Sequence, residues 1–228
     1  MWTVLCDFDG TIAVEDVTDS LLMRFGLPGW DALEVAWREG RIGSRECMAG
    51  QVALLDCSRG ELEEHLSTMA LDPDFPAFAA AVQALGWPMR VVSDGCDLVI
   101  RTLLERHGLG HLPVSANHLV ADGPRRWRLE FPNARADCSG ASGTCKCAFA
   151  DAAHGEGRQV LMIGDGVSDF CVARRADLNL ARKRLLEHCL DRGLPHLPAA
   201  RFSQALTLLP QVATFGRSLL SMPTQAAS

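Results

Sequence analysis

Short, almost uninterrupted apolar runs alternate along the chain with longer segments of helical periodicity. Such runs are typical of buried strands, and the segments between them are typical of amphipathic helices. The predicted strands are Trp2–Cys6, Met89–Ser93, Val160–Gly164 and Asp177–Ala181. The predicted helices are Phe75–Leu85, Leu98–His107, Cys145–Ala153 and Val167–Arg174. Because strands separated by helices favour parallel pairing, the pattern predicts an α/β fold with a parallel sheet.

Residues 15–72 interrupt this alternation. Helix-like segments with several leucines and methionines follow one another there, and no convincing strand pattern occurs. Turn-forming residues divide the segment at Leu27-Pro28-Gly29, Gly40, Gly43 and Ser58-Arg59-Gly60. We therefore predict three or four short helices that form a small cap, inserted after the first strand into a core of residues 1–14 and 73–228.

A second irregular stretch covers residues 112–143. It contains the turn signal Asp122-Gly123-Pro124, after which Arg126–Phe131 alternates polar and apolar residues. That alternation predicts a hairpin strand. A loop rich in glycine, serine and cysteine follows the strand.

Length and composition limit the class of protein. The 228 residues suit one core domain with a modest insertion, and 48% apolar with 22% charged residues is ordinary globular usage. The formal net charge of -6 gives no electrostatic footprint for nucleic acid, so we expect a small-molecule partner. No apolar stretch approaches the length that crosses a bilayer, and the N-terminal residues lack the basic region of a signal peptide. We expect a cytoplasmic protein that binds no membrane, as a monomer or a homodimer.

Side chains suited to catalysis follow the predicted strands. Asp7 and Asp9 lie two residues apart after the first strand, so their carboxylates project to one side and repel each other unless a cation lies between them. The other candidates are Ser93, Asp165 and Asp169 at the ends of later strands, and Lys146 at the start of a predicted helix. A carboxylate can attack phosphorus, a lysine and a hydroxyl can bind phosphate oxygens, and a second carboxylate can exchange protons. The set therefore indicates phosphoryl transfer.

These residues form four motifs along the chain. In order they are Asp7-Phe8-Asp9-Gly10-Thr11, Ser93, Lys146 and Gly164-Asp165-Gly166-Val167-Ser168-Asp169. In this order the chain resembles the haloacid dehalogenase superfamily of aspartate-dependent phosphatases. The resemblance implies a Rossmann-like parallel sheet flanked by helices, and a phosphoric monoester hydrolase that uses Mg²⁺. Dehalogenase chemistry is disfavoured, because the acid that would protonate an alkoxide leaving group, Asp9, is present.

The resemblance also implies a role for each motif residue. Asp7 would be the nucleophile and a metal ligand, whereas Asp9 would be the general acid and base, with its backbone carbonyl also on the metal. Asp165 would bind Mg²⁺ directly, and Asp169 would act from an outer shell or through water. The two phosphate binders would be Ser93 and Lys146.

The insertion lies between the first two motifs, which resembles the small helical cap of the phosphoserine phosphatase branch. A narrower resemblance, to phosphatases of methionine salvage, spans nearly the whole chain. It is carried by Cys6–Ile12, Cys138–Cys147, Asp177–Arg182, Leu185-Leu186 and His196–Pro198. It implies 2-hydroxy-3-keto-5-methylthiopentenyl 1-phosphate as substrate. Phosphoserine, phosphoethanolamine and phosphocholine remain alternative substrates, and a phosphate-sensing or partner-binding module remains a non-enzymatic alternative.

Residues next to the motifs are candidates for substrate contact or for structural roles. Asp16 either contacts the substrate or caps a helix, where the helix dipole stabilises an acidic side chain. Thr11 and Gly95 are candidates for substrate contact, since Gly95 leaves room for phosphate. Asp94 and Asp97 are predicted to serve the turn and the N-cap of the next helix.

The cysteine-rich loop and two tryptophans are given structural interpretations. Cys138, Cys145 and Cys147 do not have a standard zinc spacing, so packing is favoured over metal binding, with a disulfide on oxidation left open. Trp30 and Trp37 lie seven residues apart on one predicted helical face, which favours packing over substrate stacking.

Overall fold

A computed structural model describes the backbone of residues 1–220 and the side chains of residues 1–215. Within them the structure forms a seven-stranded sheet of order β4-β3-β2-β1-β5-β6-β7. The strands are β1 (Trp2–Cys6), β2 (Met89–Cys96), β3 (Val114–Ala121), β4 (Trp127–Glu130), β5 (Gln159–Gly164), β6 (Leu178–Ala181) and β7 (His196–Pro198). Neighbouring strands are parallel except β3 and β4, which are antiparallel. The predicted α/β fold is confirmed.

Helices fill the connections between the strands. Between β1 and β2 lie α1 (Val17–Phe25), α2 (Trp30–Arg38), α3 (Ser44–Ala53), α4 (Arg59–Leu66) and α5 (Phe75–Ala84). The later helices are α6 (Asp97–Arg106), α7 (Lys146–Gly155), α8 (Phe170–Ala173), α9 (Lys183–Arg192) and α10 (Phe202–Leu220). The predicted helical insertion after the first strand is therefore present as α1–α4. The bounds of the cap, 15–72, stay a prediction.

The central strand shows why its sequence is a continuous apolar run. β1 lies between β2 and β5, and Val4 pairs with both Met89 and Leu161. Successive side chains point to opposite faces of a sheet. Val4 belongs to the cluster that includes α5, α6 and α10, whereas Leu5 belongs to the cluster that includes α7 and α8. Because helices cover both faces, every residue of the run except Thr3 is apolar.

Some elements differ from the sequence-based expectation. The stretch considered irregular contains β3, which pairs with the hairpin strand β4 inside the predicted Arg126–Phe131. The helix predicted over Val167–Arg174 is a 3₁₀ turn at Val167–Asp169 followed by the short α8. The strand β7 and the helices α9 and α10 had no sequence-based prediction.

The strands that carry the motifs end at one edge of the sheet. β1, β2 and β5 are parallel neighbours, so their carboxyl ends meet there. Ligands of open α/β sheets bind at this edge. Among residues 1–220, none of the helices combines the length and apolar character needed to cross a membrane.

Candidate active site

Asp7 and Asp9 flank a buried phenylalanine at the carboxyl end of β1. The backbone N–H of Asp7 donates to the carbonyl oxygen of Ile163 at 2.9 Å, which extends the ladder between β1 and β5. Phe8 is fully buried, and its carbonyl oxygen accepts hydrogen bonds from the N–H of Ile12 at 2.8 Å. The chain therefore turns tightly after the two aspartates, and both of them line one cavity.

Lys146 is buried between two carboxylates. Its Nζ lies 2.7 Å from Oδ1 of Asp7 and 2.6 Å from Oδ1 of Asp169. Burial lowers the pKa of Lys146, but the carboxylates of Asp169 and Asp7 outweigh burial and raise that pKa above its ordinary value. Lys146 is therefore charged, and it fixes the positions of both carboxylates.

The turn after β5 holds the remaining acidic motif. Oδ2 of Asp169 accepts hydrogen bonds from the backbone N–H of Asp165 at 3.0 Å and of Gly166 at 3.2 Å. A Cβ on Gly164 would collide with the carboxylate of Asp169, so only glycine allows this approach. Oδ1 of Asp165 accepts a hydrogen bond from the hydroxyl of Thr11 at 3.3 Å. These contacts orient both carboxylates.

One carboxylate oxygen from each of Asp7, Asp165 and Asp169 lies within 4.8 Å of the other two. Burial and then the carboxylate of Asp169 raise the pKa of Asp7 to about 8, although Lys146 opposes the rise. The local excess of negative charge and the all-oxygen donor set both suit a hard divalent cation such as Mg²⁺. The buried group is consistent with a metal site. The carboxylate of Asp9 is not part of this group, and its predicted metal contact is through the backbone carbonyl.

Asp9 contacts the insertion on one side and β2 on the other. Its Oδ1 accepts a hydrogen bond from the backbone N–H of Val17, at the start of α1, at 2.9 Å. A Cβ on Gly95 would lie 2.6 Å from Oδ2 of Asp9, so glycine keeps this space open. Ser93 Oγ accepts a hydrogen bond from the N–H of Gly95 at 2.9 Å. Burial and then the carboxylate of Asp16 raise the pKa of Asp9 well above its ordinary value.

A cavity of about 420 Å³ lies between the edge of the sheet and the insertion. The predicted site residues that line it are Asp7, Asp9, Asp16, Ser93, Gly95 and Asp165. The predicted residues Thr11, Lys146 and Asp169 are buried beside that lining rather than part of it. The structure therefore brings all nine together, but Thr11 contacts Asp165 and its predicted contact with substrate stays a prediction.

The insertion contributes an acidic wall to the cavity. Asp16, Asp19 and Glu34 lie in that wall together with Met48 and with Arg38, which pairs with Glu34 at 2.8 Å. Trp37 also reaches the cavity, despite the prediction that it packs. Asp16 also caps α1, because its Oδ1 accepts a hydrogen bond from the N–H of Asp19 at 2.9 Å. Asp16 is exposed at the cavity, but partial desolvation by the surrounding protein and then the carboxylate of Asp19 raise its pKa to about 6. Both interpretations of Asp16 are therefore compatible with its position.

Lys183 is a cavity residue that sequence reasoning missed. Its Nζ lies 3.0 Å from Oδ2 of Asp165 and donates to the carbonyl oxygen of Gly10 at 3.2 Å. Its backbone φ of 46° is left-handed, which is uncommon for a residue with a Cβ. The one signal is the basic run Arg182-Lys183-Arg184 at the start of a helix, where the helix dipole favours acidic residues.

Asp94 has a different role from the one predicted. Neither Asp94 nor Asp97 is the N-cap of α6. The carboxylate of Asp94 accepts hydrogen bonds from the hydroxyl of Ser44 at 2.6 Å and from the N–H of Thr144 at 2.7 Å. Oδ1 of Asp97 accepts a hydrogen bond from the N–H of Leu119 at 3.0 Å, which joins α6 to β3. Both aspartates therefore connect elements that are distant in sequence.

The cysteines make no disulfide in the structure. All nine are free thiols, including Cys138, Cys145 and Cys147. Across the part of the chain that the structure describes, the acidic group at the cavity is the cluster whose side chains lie close enough together to hold a metal ion. The packing role of the loop stays a prediction.

Comparison with known proteins assigns the family. The sequence profile of haloacid dehalogenase-like hydrolases matches residues 4–174, which include all four motifs. The chain belongs to the haloacid dehalogenase-like hydrolases. The predicted family is confirmed, and so is the prediction that this hydrolase is a phosphatase, a phosphoric monoester hydrolase.

Two curated relatives match the hydrolase over nearly its whole length. One from Geobacillus kaustophilus is 32% identical over 217 residues, which are 92% of this chain and 96% of the relative. One from an Exiguobacterium species is 33% identical over 202 residues, which are 87% of this chain and 93% of the relative. Both are named 2-hydroxy-3-keto-5-methylthiopentenyl-1-phosphate phosphatase.

Solved structures agree with the fold of this hydrolase. A substrate-bound phosphoserine phosphatase aligns with a TM-score of 0.67 and 18% identity, and the alignment covers 90% of this chain and 96% of that chain. At this identity the likeness concerns the fold alone. It extends over the sheet and the helical insertion.

Proposed function

We propose that this hydrolase is a Mg²⁺-dependent phosphomonoesterase that forms an aspartyl phosphate on Asp7. The observation that carries the proposal is the buried Lys146 ammonium between Asp7 and Asp169, at a cavity that Asp9 also lines. The carboxylate of Asp7 is held by the Lys146 ammonium, whereas the carboxylate of Asp9 is not paired with it. This division suits one nucleophile and one proton donor.

The proposed reaction has two displacement steps. A carboxylate oxygen of Asp7 attacks phosphorus, the bond from phosphorus to the ester oxygen breaks, and Asp9 donates a proton to that oxygen. Asp9 then takes a proton from water, whose oxygen attacks phosphorus and breaks the bond to Asp7. The products are the free alcohol and inorganic phosphate. The hydrogen bond from Val17 to Asp9 supports this role, because it orients the carboxylate at the cavity.

Phosphate binding is assigned to three residues. Ser93 lines the cavity beside Asp9, and Gly95 leaves space there because a side chain would meet Asp9. Lys146 supplies a positive charge next to Asp7. Preorganised donors of this kind stabilise the charge that develops on transferred phosphoryl oxygens.

We assign the metal site to Asp7 and Asp165, with Asp169 in an outer shell and the backbone carbonyl of Asp9 as a further donor. When bound there, Mg²⁺ neutralises the carboxylates and withdraws charge from the phosphate oxygens. Thr11 and Lys183 support this site from the protein side, because both contact the carboxylate of Asp165.

Residues 15–72 form the proposed cap over a core of residues 1–14 and 73–228. Helices α1, α2 and α3 each contribute residues to the cavity. A cap in this position excludes water from the reaction and contacts the alcohol part of the ester. We therefore assign substrate choice to the cap and the chemistry to the core.

The favoured substrate is 2-hydroxy-3-keto-5-methylthiopentenyl 1-phosphate, in methionine salvage. The support is the length of the match, since the relatives that carry this name align over about nine-tenths of the chain. The apolar cavity residues Trp37 and Met48 suit a methylthio group.

A second candidate is a phosphorylated amine such as phosphoserine, phosphoethanolamine or phosphocholine. The observation in its favour is the acidic wall of the cavity: Arg38 pairs with Glu34 at 2.8 Å, which leaves the carboxylates of Asp16 and Asp19 to face a cationic group. The two candidates differ in the charge that they place against this wall.

The test is phosphate release from a panel of metabolites with Mg²⁺, with Asp7→Asn as the inactive control. The panel contains the methionine-salvage intermediate, phosphoserine, phosphoethanolamine, phosphocholine and a generic aryl phosphate. The proposal predicts the highest kcat/KM for the methionine-salvage intermediate. A preference for an amine would support the second candidate, and hydrolysis of no ester by the wild-type protein would contradict both.

A further inference from the structure

Asp94 joins three parts of the structure at the edge of the cavity. It follows the proposed phosphate binder at the end of β2. Its Oδ2 accepts a hydrogen bond from Ser44 Oγ at 2.6 Å, and its Oδ1 accepts one from the backbone N–H of Thr144 at 2.7 Å. Ser44 begins α3 in the insertion, whereas Thr144 lies two residues before Lys146. One carboxylate therefore contacts both the insertion and the segment that carries the proposed phosphate-binding lysine.

The start of α3 makes a second contact with the same segment. The backbone N–H of Arg45 donates to the carbonyl oxygen of Ala141 at 2.9 Å, which satisfies one of the N–H groups that a helix leaves unpaired at its start. Ala141 has a φ of 44°, a left-handed conformation that is unfavourable for a residue with a Cβ. A Cβ on Gly43 would lie 2.5 Å from that of Ala141, so glycine is needed for the Ala141 side chain to pack against this point of the insertion. The unfavourable backbone conformation of Ala141 and its close contact with Gly43 therefore occur at the same place, where the insertion meets the cysteine-rich loop.

A buried side chain of β3 positions the backbone of Asp94 and the side chain of Thr144, but it does not contact the Asp94 carboxylate. Asn117 in β3 is fully buried, and its side-chain amide donates to the backbone carbonyl of Asp94. Its Oδ1 accepts a hydrogen bond from the hydroxyl of Thr144 at 3.2 Å. Asn117 therefore holds both partners of the bond between Asp94 and Thr144, and Ser44 joins them from the insertion.

We propose that Asp94 and Ser44 are positioning residues that couple closure of the insertion over the cavity to the placement of Lys146. When the Ser44 hydroxyl reaches Asp94, the carboxylate is oriented towards the N–H of Thr144. That contact fixes the start of α7 and hence the base of the lysine side chain. The inference rests on the proposed function, because it takes phosphate as the group that Lys146 binds.

Ser44→Ala tests the coupling, because the Ser44 hydroxyl bonds to Asp94 and not to Lys146. The measurement is the inhibition constant of inorganic phosphate, at saturating Mg²⁺, against hydrolysis of p-nitrophenyl phosphate. We expect the constant to rise roughly tenfold, the lower end of what losing a hydrogen bond to a charged group produces. Ser44→Thr keeps a hydroxyl and should restore the constant to within about twofold of the wild-type value.

Ser58→Ala is the matched control. Ser58 caps α4 in the same insertion, through a capping box with Glu61, and it does not contact Asp94. The substitution should lower the melting temperature and leave the inhibition constant of phosphate unchanged. A rise equal to that of Ser44→Ala would overturn the proposal, because general loosening of the insertion would then explain both variants.

Two further outcomes are distinguishable. Wild-type phosphate inhibition in Ser44→Ala, with normal turnover in the wild-type protein, would overturn the coupling and leave the proposed function intact. Failure of the wild-type protein to hydrolyse p-nitrophenyl phosphate, the methionine-salvage intermediate or phosphoserine would instead contradict the proposed function.

Discussion

Two lysines pair with carboxylates of the same site but differ in burial. The side chain of Lys146 is 3% exposed and lies 2.7 and 2.6 Å from its two carboxylate oxygens. The side chain of Lys183 is 57% exposed and lies 3.0 Å from one oxygen of Asp165. Removing one partner of a buried ion pair leaves an uncompensated charge, whereas an exposed pair is screened by water.

The magnitudes follow from that difference. Breaking a buried pair costs about 3–5 kcal/mol, and we expect Lys146→Met near the lower end because the carboxylates left behind can take up protons. Lys183→Met should cost about 0–1 kcal/mol. Each variant keeps most of the apolar stem of the lysine, so the comparison isolates the ammonium group.

Urea denaturation followed by tryptophan fluorescence measures both free energies of unfolding. The first series contains a chelator, and the second contains Mg²⁺, which should recover part of the stability of Lys146→Met because it restores positive charge beside Asp7 and Asp169. Equal losses for the two variants would refute the reasoning. So would a loss for Lys146→Met below about 1 kcal/mol, the range of an exposed pair.

Three other predictions concern the reaction itself. Asp9→Asn should lower turnover of an aryl phosphate by about 10²–10⁴, because the amide cannot exchange the proton; unchanged steady-state kinetics would exclude that role. A chelator should abolish turnover and Ca²⁺ should inhibit it, because Ca²⁺ takes more ligands at longer distances than Mg²⁺; full activity in excess chelator would contradict the metal assignment. Asp16→Asn should lower kcat/KM for phosphoserine more than for an aryl phosphate, because a charge-assisted contact worth about 1.5–3 kcal/mol is lost. If kcat/KM falls by the same factor for both esters, Asp16 acts only as the cap of α1.

Local sequence patterns were sufficient to predict the central strands, the acidic motifs and the helical insertion. The central strands are largely apolar runs because helices cover both of their faces, and the acidic motifs follow β1 and β5 directly. The helical insertion was predictable because glycine, proline and serine mark the helix ends. These features depend on neighbours in sequence, so they are visible without the structure.

Long-range polar contacts were not predictable in the same way. β3 contains the buried Asn117, whose partners are a carbonyl of β2 and the hydroxyl of Thr144, and this polar residue breaks the strand pattern. Ser44 and Asp94 lie 50 positions apart, so nothing in either local sequence indicates their contact. Lys183 reaches Asp165 from the left-handed start of α9, a conformation that a lysine does not signal.

The proposed mechanism depends on Asp7, which carries the phosphoryl group between the two displacement steps. Acid quenching during turnover of an aryl phosphate, followed by borohydride reduction and peptide mass analysis, identifies an acyl phosphate by its conversion to homoserine. We expect this conversion at position 7 in the wild-type protein, and none in Asp7→Asn or in the absence of Mg²⁺. Conversion at Asp9 or Asp165 with position 7 intact would contradict it.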